Sequence, residues 1–357
     1  MKTYIKFILL TFLKSFFYIA LSLFSLVFII NLLTELDFFK EIEVSAGFII
    51  YLSLINSPSI IFEMFPFIFL ISTQLFFIKL FKNNEFQIFK YSGLKNSKIL
   101  IITAIGSLIM SLMIVTLFYE LSSKFKNIYL EIKSNYSTDS KYLAVITKNG
   151  LWIKDKINEK NLIINANQIQ DYFLLDAIIS EFDNDFKLIK SIKSNKININ
   201  KTKWIIYDPK IIQNNYNSFE NIIDYQTNFD YKKIQSLFSN LSSLSFLKLI
   251  ELKKNYQLLN FSTTEINVQI QKIISYPFYL VMMTILSGIL MLMTKNLKSF
   301  TLKIGIGFLL AVIIYYFNNF FNVLGTTQKI SYISSVWMPL IVLILINSFM
   351  ILDINEK

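Results

Sequence analysis

The chain has 357 residues, 54% of them hydrophobic, with a mean hydropathy of +0.50. That balance belongs to an integral membrane protein rather than to two or three soluble domains. Cysteine and histidine are both absent, which excludes disulfides, zinc centres, thiol nucleophiles and imidazole bases together. All 35 basic residues are lysine, and the net charge of +11 is spread along the chain. Without a concentrated basic patch, a nucleic-acid partner is not expected.

In chain order, a first apolar span runs from Phe7 to Leu33 behind Lys2, Lys6 and Lys14. Its length and the lack of a small-x-small site predict an uncleaved helix with a cytoplasmic N-terminus. Glu35, Asp37, Glu41 and Glu43 then mark an outer loop. The stretch Phe48 to Leu54 is too short to span, and Ser57-Pro58-Ser59 interrupts it, so an interfacial lead-in is expected. A second span follows from Ile60 to Leu80, with Pro66 tolerated inside the bilayer.

The connector KLFKNNEFQIFKYSGLKNSK, residues 79–98, carries lysines at 79, 82, 90, 95 and 98, which places it on the cytoplasmic side. Asn84 and Gln87 have the spacing of a capping box, and Gly93 suits a left-handed stop, so a short helix is expected over about 84–92. Phe86, Ile88 and Phe89 give that helix apolar bulk with no bilayer to enter. Lipid headgroups or a protein partner would have to cover it.

After a third span, Ile99 to Phe118, roughly 150 residues follow without a membrane-length apolar run. Their pattern is mostly β. Leu143 to Thr147 and Leu151 to Lys154 flank Asn149-Gly150. Ala177 to Phe182 and Phe186 to Ile192 flank Asp183-Asn184-Asp185, and Ile197 to Ile199 and Trp204 to Tyr207 flank Asn200 and Lys201. A sandwich or jelly roll is expected, with a helix from Tyr231 to about Tyr256 leading back to the membrane. Three further spans run Ile274 to Met293, Ile304 to Val323 and Ile333 to Leu352.

Twelve lysines in or beside the short loops fall inside (2, 6, 14, 79, 82, 90, 95, 98, 295, 298, 303, 357) and two outside (40, 329). Three spans, a large outer domain and three more spans, with both ends inside, satisfy that count. There is no G-x-x-x-x-G-K-[ST] and only eight glycines, so any ATP must be bound by another chain. Among membrane polar residues, Glu63 is expected to reach the headgroups, and Asn318 and Asn319 to bond between helices. With no clustered titratable groups, an enzyme is not expected, and no cofactor is called for.

Several stretches in order resemble one family, the LptF/LptG permeases of lipopolysaccharide export. LINSPSIIFEMFPFIFLISTQL, with Pro58 and Pro66, is similar to the family's second span. NNEFQIFKYSGLKNSKI resembles its connector, with Glu85, Ser92 and Gly93 in matching places. NGLWIKD, residues 149–155, resembles a strand more typical of LptG. EINVQIQKIISYPFYLVMM with Lys272 and Pro277, and Trp337-Met338-Pro339, resemble the starts of the fourth and sixth spans.

The resemblance implies an α-helical membrane protein with six transmembrane helices (3+3) and an inserted all-β jelly-roll periplasmic domain. Residues 1–120 would hold spans one to three with a coupling helix at about 84–92, residues 121–265 the periplasmic domain, and residues 266–357 the last three spans. It implies a permease subunit in the bacterial inner membrane, paired with a second LptF-type permease above a cytoplasmic ABC ATPase dimer and joined by a single-span LptC-type protein. Lipopolysaccharide would enter from the membrane by a side gate of first and fifth spans and leave through the β domain to a periplasmic bridge. Glu85, Phe86, Ile88, Phe89, Ser92 and Gly93 are then the ATPase-coupling candidates, with Glu85, Phe86 and Phe89 in the ATPase groove. Asn31, Lys40 and Trp152 are the lipid-contact candidates. LptG relatives carry basic residues at the outer end of span one, where this chain has Asn31, Asp37 and Phe38, with Lys40 the nearest lysine. The competing readings are a membrane-anchored enzyme acting on envelope glycolipids, an efflux or lipoprotein-release permease, and an envelope scaffold.

Overall fold

A computed structural model describes residues 3–134, 136, 151–157, 160–170, 172–183, 187–213, 216–231, 234, 240–258, 261–295, 297 and 299–356. Two compact units emerge, Met1–Tyr129 with Thr264–Lys357, and Leu130–Thr263.

The first unit is helical. Among the described residues, six helices are long and apolar enough to cross a membrane. They are α1 (Thr3–Phe38), α2 (Ala46–Lys82), the run from α4 (Asn96–Met113) through a π-helical turn at Ile114–Phe118 into α5 (Tyr119–Ser134), then α7 (Thr264–Met293), α8 (Phe300–Thr326) and α9 (Tyr332–Glu356). The short α3 (Glu85–Tyr91) joins the second and third spans. Phe12, Phe16, Phe65, Phe69, Phe76 and Phe77 form the centre of the core between α1 and α2, meeting mostly edge-on. Such pairs suit the ring quadrupole, so an aromatic-rich sequence packs without sacrificing contact.

The lead-in expected at Phe48 to Leu54 is part of one unbroken helix, α2, that carries Pro58 and Pro66 inside it. Ser53 and Ser57 return their hydroxyls to the carbonyls four residues earlier, at 2.8 and 2.7 Å, and Ser59 donates to the Asn56 carbonyl. The polar interruption is thereby satisfied within the helix and needs no turn.

Small residues set two helix crossings. A Cβ added to Gly288 would sit 2.4 Å from Leu100 Cδ2, and one added to Gly106 would sit 2.6 Å from Leu9 Cδ2. Of the two asparagines expected to bond between helices, Asn318 lies close to Tyr279 while Asn319 is exposed; an interhelical bond is made instead by Asn347, which donates to the Met282 carbonyl at 3.1 Å.

The second unit is an antiparallel β-sheet with strands β1 (Leu151–Ile157), β2 (Lys160–Gln170), β3 (Phe173–Phe182), β4 (Leu188–Asn198), β5 (Lys203–Tyr207), β6 (Lys210–Gln213), β7 (Tyr216–Phe219) and β8 (Ile222–Gln226). The order is β1-β2-β3-β4-β5-β8, with β6 joined to β4 and β7 to β6. Besides β3, strand β4 serves two further partners. Lys190–Lys193 pairs with β6, and Lys196–Asn198 pairs with β5. The expected β3–β4 and β4–β5 hairpins are present, while Leu143 to Gly150 and residues 184–186 lie outside the described residues. Of the helix expected from Tyr231 to about Tyr256, Tyr231 and Ile234 are helical and residues 232–233 and 235–239 lie outside the described residues; beyond them Asn240 caps a 3-10 turn at Leu241–Ser243, and α6 runs Phe246–Leu258.

One face of the sheet is apolar and closed, with Ile153, Ile164, Ile179, Ile192, Trp204 and Ile206 all buried. At one end Glu181, also buried, accepts from Tyr225 Oη at 3.0 Å and from Lys160 Nζ at 3.3 Å. Burial, and secondarily the Glu181 charge, push the Tyr225 phenol well above its ordinary range. The fold therefore holds the neutral phenol. That contribution is intact below about pH 10 and declines as pH rises further. Tyr225→Phe is expected to lower stability at neutral pH by about 1–2 kcal/mol while making the loss above pH 10 shallower. Thermal melts of both proteins across that range check this.

Candidate functional site

A seven-residue helix has little stability alone, so α3 must be held by tertiary contacts. Its Phe86 ring is buried and meets Phe81 of α2 edge-on at 5.0 Å, and Phe89 meets Phe7 of α1 at 6.0 Å. Lys90 Nζ stands 5.7 Å over the Phe86 ring. The C-terminus closes in a Schellman motif, with Leu94 N donating to Phe89 O and Gly93 N donating to Lys90 O, each at 2.9 Å. Gly93 has φ +75, the conformation that only glycine adopts freely.

The N-terminus departs from the capping-box expectation. Asn84 lies in the left-handed region at φ 57 and its side chain caps nothing. Two helices meet with only Asn83 and Asn84 between them, so Asn84 makes the reversal itself and cannot take the extended cap geometry. Asn83 Nδ2 instead donates to Glu85 Oε1 at 3.4 Å.

The helix thus has two faces. Phe86 and Phe89, three apart, point into the bundle as anchors. Glu85, Ile88 and Ser92 follow the other face at spacings of three and four, joined by Tyr91. Ile88 is 59% exposed and Tyr91 88% exposed. Sequence reasoning named both phenylalanines but missed Tyr91, whose side is decided only when the anchors are known.

A second polar cluster sits where α1 and α2 approach α5. Asn31 is buried, and its amide donates to Ser57 Oγ at 3.0 Å. Asn56 Nδ2 reaches Asn31 Oδ1 at 3.4 Å, and Lys126 Nζ donates to Asn56 Oδ1 at 2.9 Å. Glu35, 1% exposed and inside α1 rather than in a loop, accepts from Tyr129 Oη at 2.7 Å. Asn31 is therefore turned into the bundle, whereas Lys40 is exposed and Trp152, in the β unit, is 56% exposed. Asn56→Leu removes the amide linking Asn31 to Lys126 and is expected to cost about 1 kcal/mol. A thermal melt in detergent, lower by a few degrees, checks it.

Further along α2, Glu63 lies within electrostatic reach of Lys272 on α7, and the Tyr276 hydroxyl donates to the Phe62 carbonyl. Coverage of the six spans is unequal. In the apolar window of α7, 67% is buried, against 17% for α1 and 11% for α8. The first and fifth spans leave their apolar sides open within a single chain. Exposed Phe308, Ile313, Tyr316 and Phe320 line that side of α8.

No curated protein matches the chain. The profile of the family described as "Lipopolysaccharide export system permease LptF/LptG" matches residues 6–353, nearly the whole length, and its helical permease with an inserted β domain is the architecture found. This chain is a multi-pass membrane protein that belongs to the LptF/LptG family of lipopolysaccharide export permeases.

Proposed function

We propose that this chain is the permease subunit that draws lipopolysaccharide from the inner membrane and hands it to a periplasmic bridge, driven by ATP hydrolysed in a partner. The observation that carries the reading is α3, a rigid two-faced helix whose inner face is anchored by Phe86 and Phe89 and whose outer face offers Glu85, Ile88, Tyr91 and Ser92. An apolar residue and an aromatic set on a fixed helix beside an acid suit a protein groove. The absence of a phosphate-binding loop from the sequence requires that ATP be bound elsewhere.

The sparse coverage of α1 and α8 supports pairing with a second permease, with lipid entering between them. The Trp152 strand supports the LptG side of such a pair. An LptC-type single-span protein completes the complex, and Lys40 and Trp152 remain the exposed candidates for lipid contact.

Affinity purification of the full chain from its own membranes tests the partner assignment. An ABC ATPase and a second permease of this family should co-purify in fixed ratio. Their absence from a stable, folded preparation overturns the reading.

A further inference from the structure

β1 and β8 are the two ends of the described sheet path, and the segment that leaves β8 crosses back to β1. Asn228 N donates to Asp155 Oδ2 at 3.0 Å and Asn228 Nδ2 to Asp155 Oδ1 at 2.8 Å, so one carboxylate on β1 is gripped at both oxygens. Hydrogen bonds to an ionised acceptor are stronger than neutral ones.

The rest of the segment is tied to the middle of the sheet. Thr227 N donates to Thr202 O at 2.8 Å, and Tyr231 N donates to Ile199 O at 2.7 Å. Between them Phe229, 1% exposed, joins the apolar interior, and its carbonyl accepts from Trp204 Nε1 at 2.8 Å and from Thr227 Oγ1 at 2.8 Å.

Asp155 is itself 1% exposed while Asn228 is exposed, so the pair lies where the interior meets solvent. Side chains fill that interior: Ile164, Ile179, Trp204 and Ile206 are all 0% exposed. An acyl chain enters such a packed core only if something withdraws.

We propose that residues 227–231 form an autoinhibitory strap, latched by Asn228 on Asp155, with Phe229 as the plug that an acyl chain displaces. The strap holds the β unit shut between transport events, and release of the Asp155 latch lets β1 and the end of β8 part. This rests on the transport reading above and adds to it the element that opens.

The chain has no cysteine, so Asp155→Cys with Asn228→Cys introduces a single addressable pair in the full-length protein. In inner-membrane vesicles from cells carrying it as their only copy, ATP-dependent delivery of the cell's lipopolysaccharide to a periplasmic acceptor is measured reduced and then joined by oxidation or dibromobimane. Joining should cut delivery at least tenfold while ATP hydrolysis continues, and reductant should reverse the oxidised block. Equal delivery by joined and reduced protein overturns the strap. Absence of any delivery by wild-type vesicles overturns the transport reading, and the strap with it. Should the pair fail to reach the membrane, Asn228→Ala decides. It removes one of the two bonds and should raise delivery at least twofold, and unchanged or slower delivery overturns the proposal.

Discussion

Ile88→Asp combined with Tyr91→Ala is expected to abolish coupling, with ATP-driven lipid release falling at least a hundredfold, while all six spans remain inserted. The two side chains are exposed and contribute nothing to the core of this chain, so the fold has no reason to respond. A buried apolar and aromatic anchor lost from an interface commonly costs 2 kcal/mol or more each, and a charge placed in the groove adds desolvation. Phe86→Asp is expected to fail differently. Its ring is covered by Phe81 in the chain's own bundle, so a carboxylate there destabilises the protein itself. Melting temperature and ATPase association, measured side by side, separate the outer face from the inner one: normal melting with lost association for the first, lowered melting for the second. Full coupling in the Ile88 and Tyr91 variant removes α3 as the docking helix.

The next largest effect is expected at Gly307. A Cβ there would lie 2.0 Å from Gln74 Nε2 and 2.6 Å from its Cδ. Gln74 is fully buried, and its amide nitrogen donates to the Lys303 carbonyl at 2.9 Å, which seats α8 on α2. Among the described residues Oε1 of the same amide has no partner. Gly307→Leu therefore expels the amide and overfills the crossing, at about 1–3 kcal/mol for the overpacking and about 1 kcal/mol for the bond. With so little of α8 buried elsewhere, that loss should free the fifth span, measured as a large drop in melting temperature. Gln74→Ala should recover part of it in the double variant, because neighbours in contact do not add. Additive losses would mean that the two residues do not meet.

The membrane architecture was legible because twenty apolar residues have few other destinations, and lysine placement orients them. The connector was legible at Gly93, whose positive φ is a property of the residue, and illegible at Asn84, where the shortness of the turn overrode cap propensity. The same competition hid the continuity of α2: Ser57-Pro58-Ser59 reads as a break, yet the hydroxyls find carbonyls one turn back. Strands β1, β3, β4 and β5 show alternation or a turn signal, but β7 is exposed along its whole length and β6 buries one residue, so neither carries a period of two. The contacts among Asn31, Asn56 and Lys126, and the latch of Asn228 on Asp155, join positions far apart in the chain. No local pattern encodes such pairs.

ATP hydrolysed by a partner is proposed to move lipopolysaccharide out of the membrane through this chain. Site-specific photocrosslinking from Trp152, exposed on β1, tests it in membranes that hold the full complex. Crosslinks to lipopolysaccharide should be sparse without nucleotide and rise severalfold with ATP, and the Ile88 and Tyr91 variant should abolish the rise. Crosslinking that is absent, or equal with and without ATP in the wild-type protein, would contradict it.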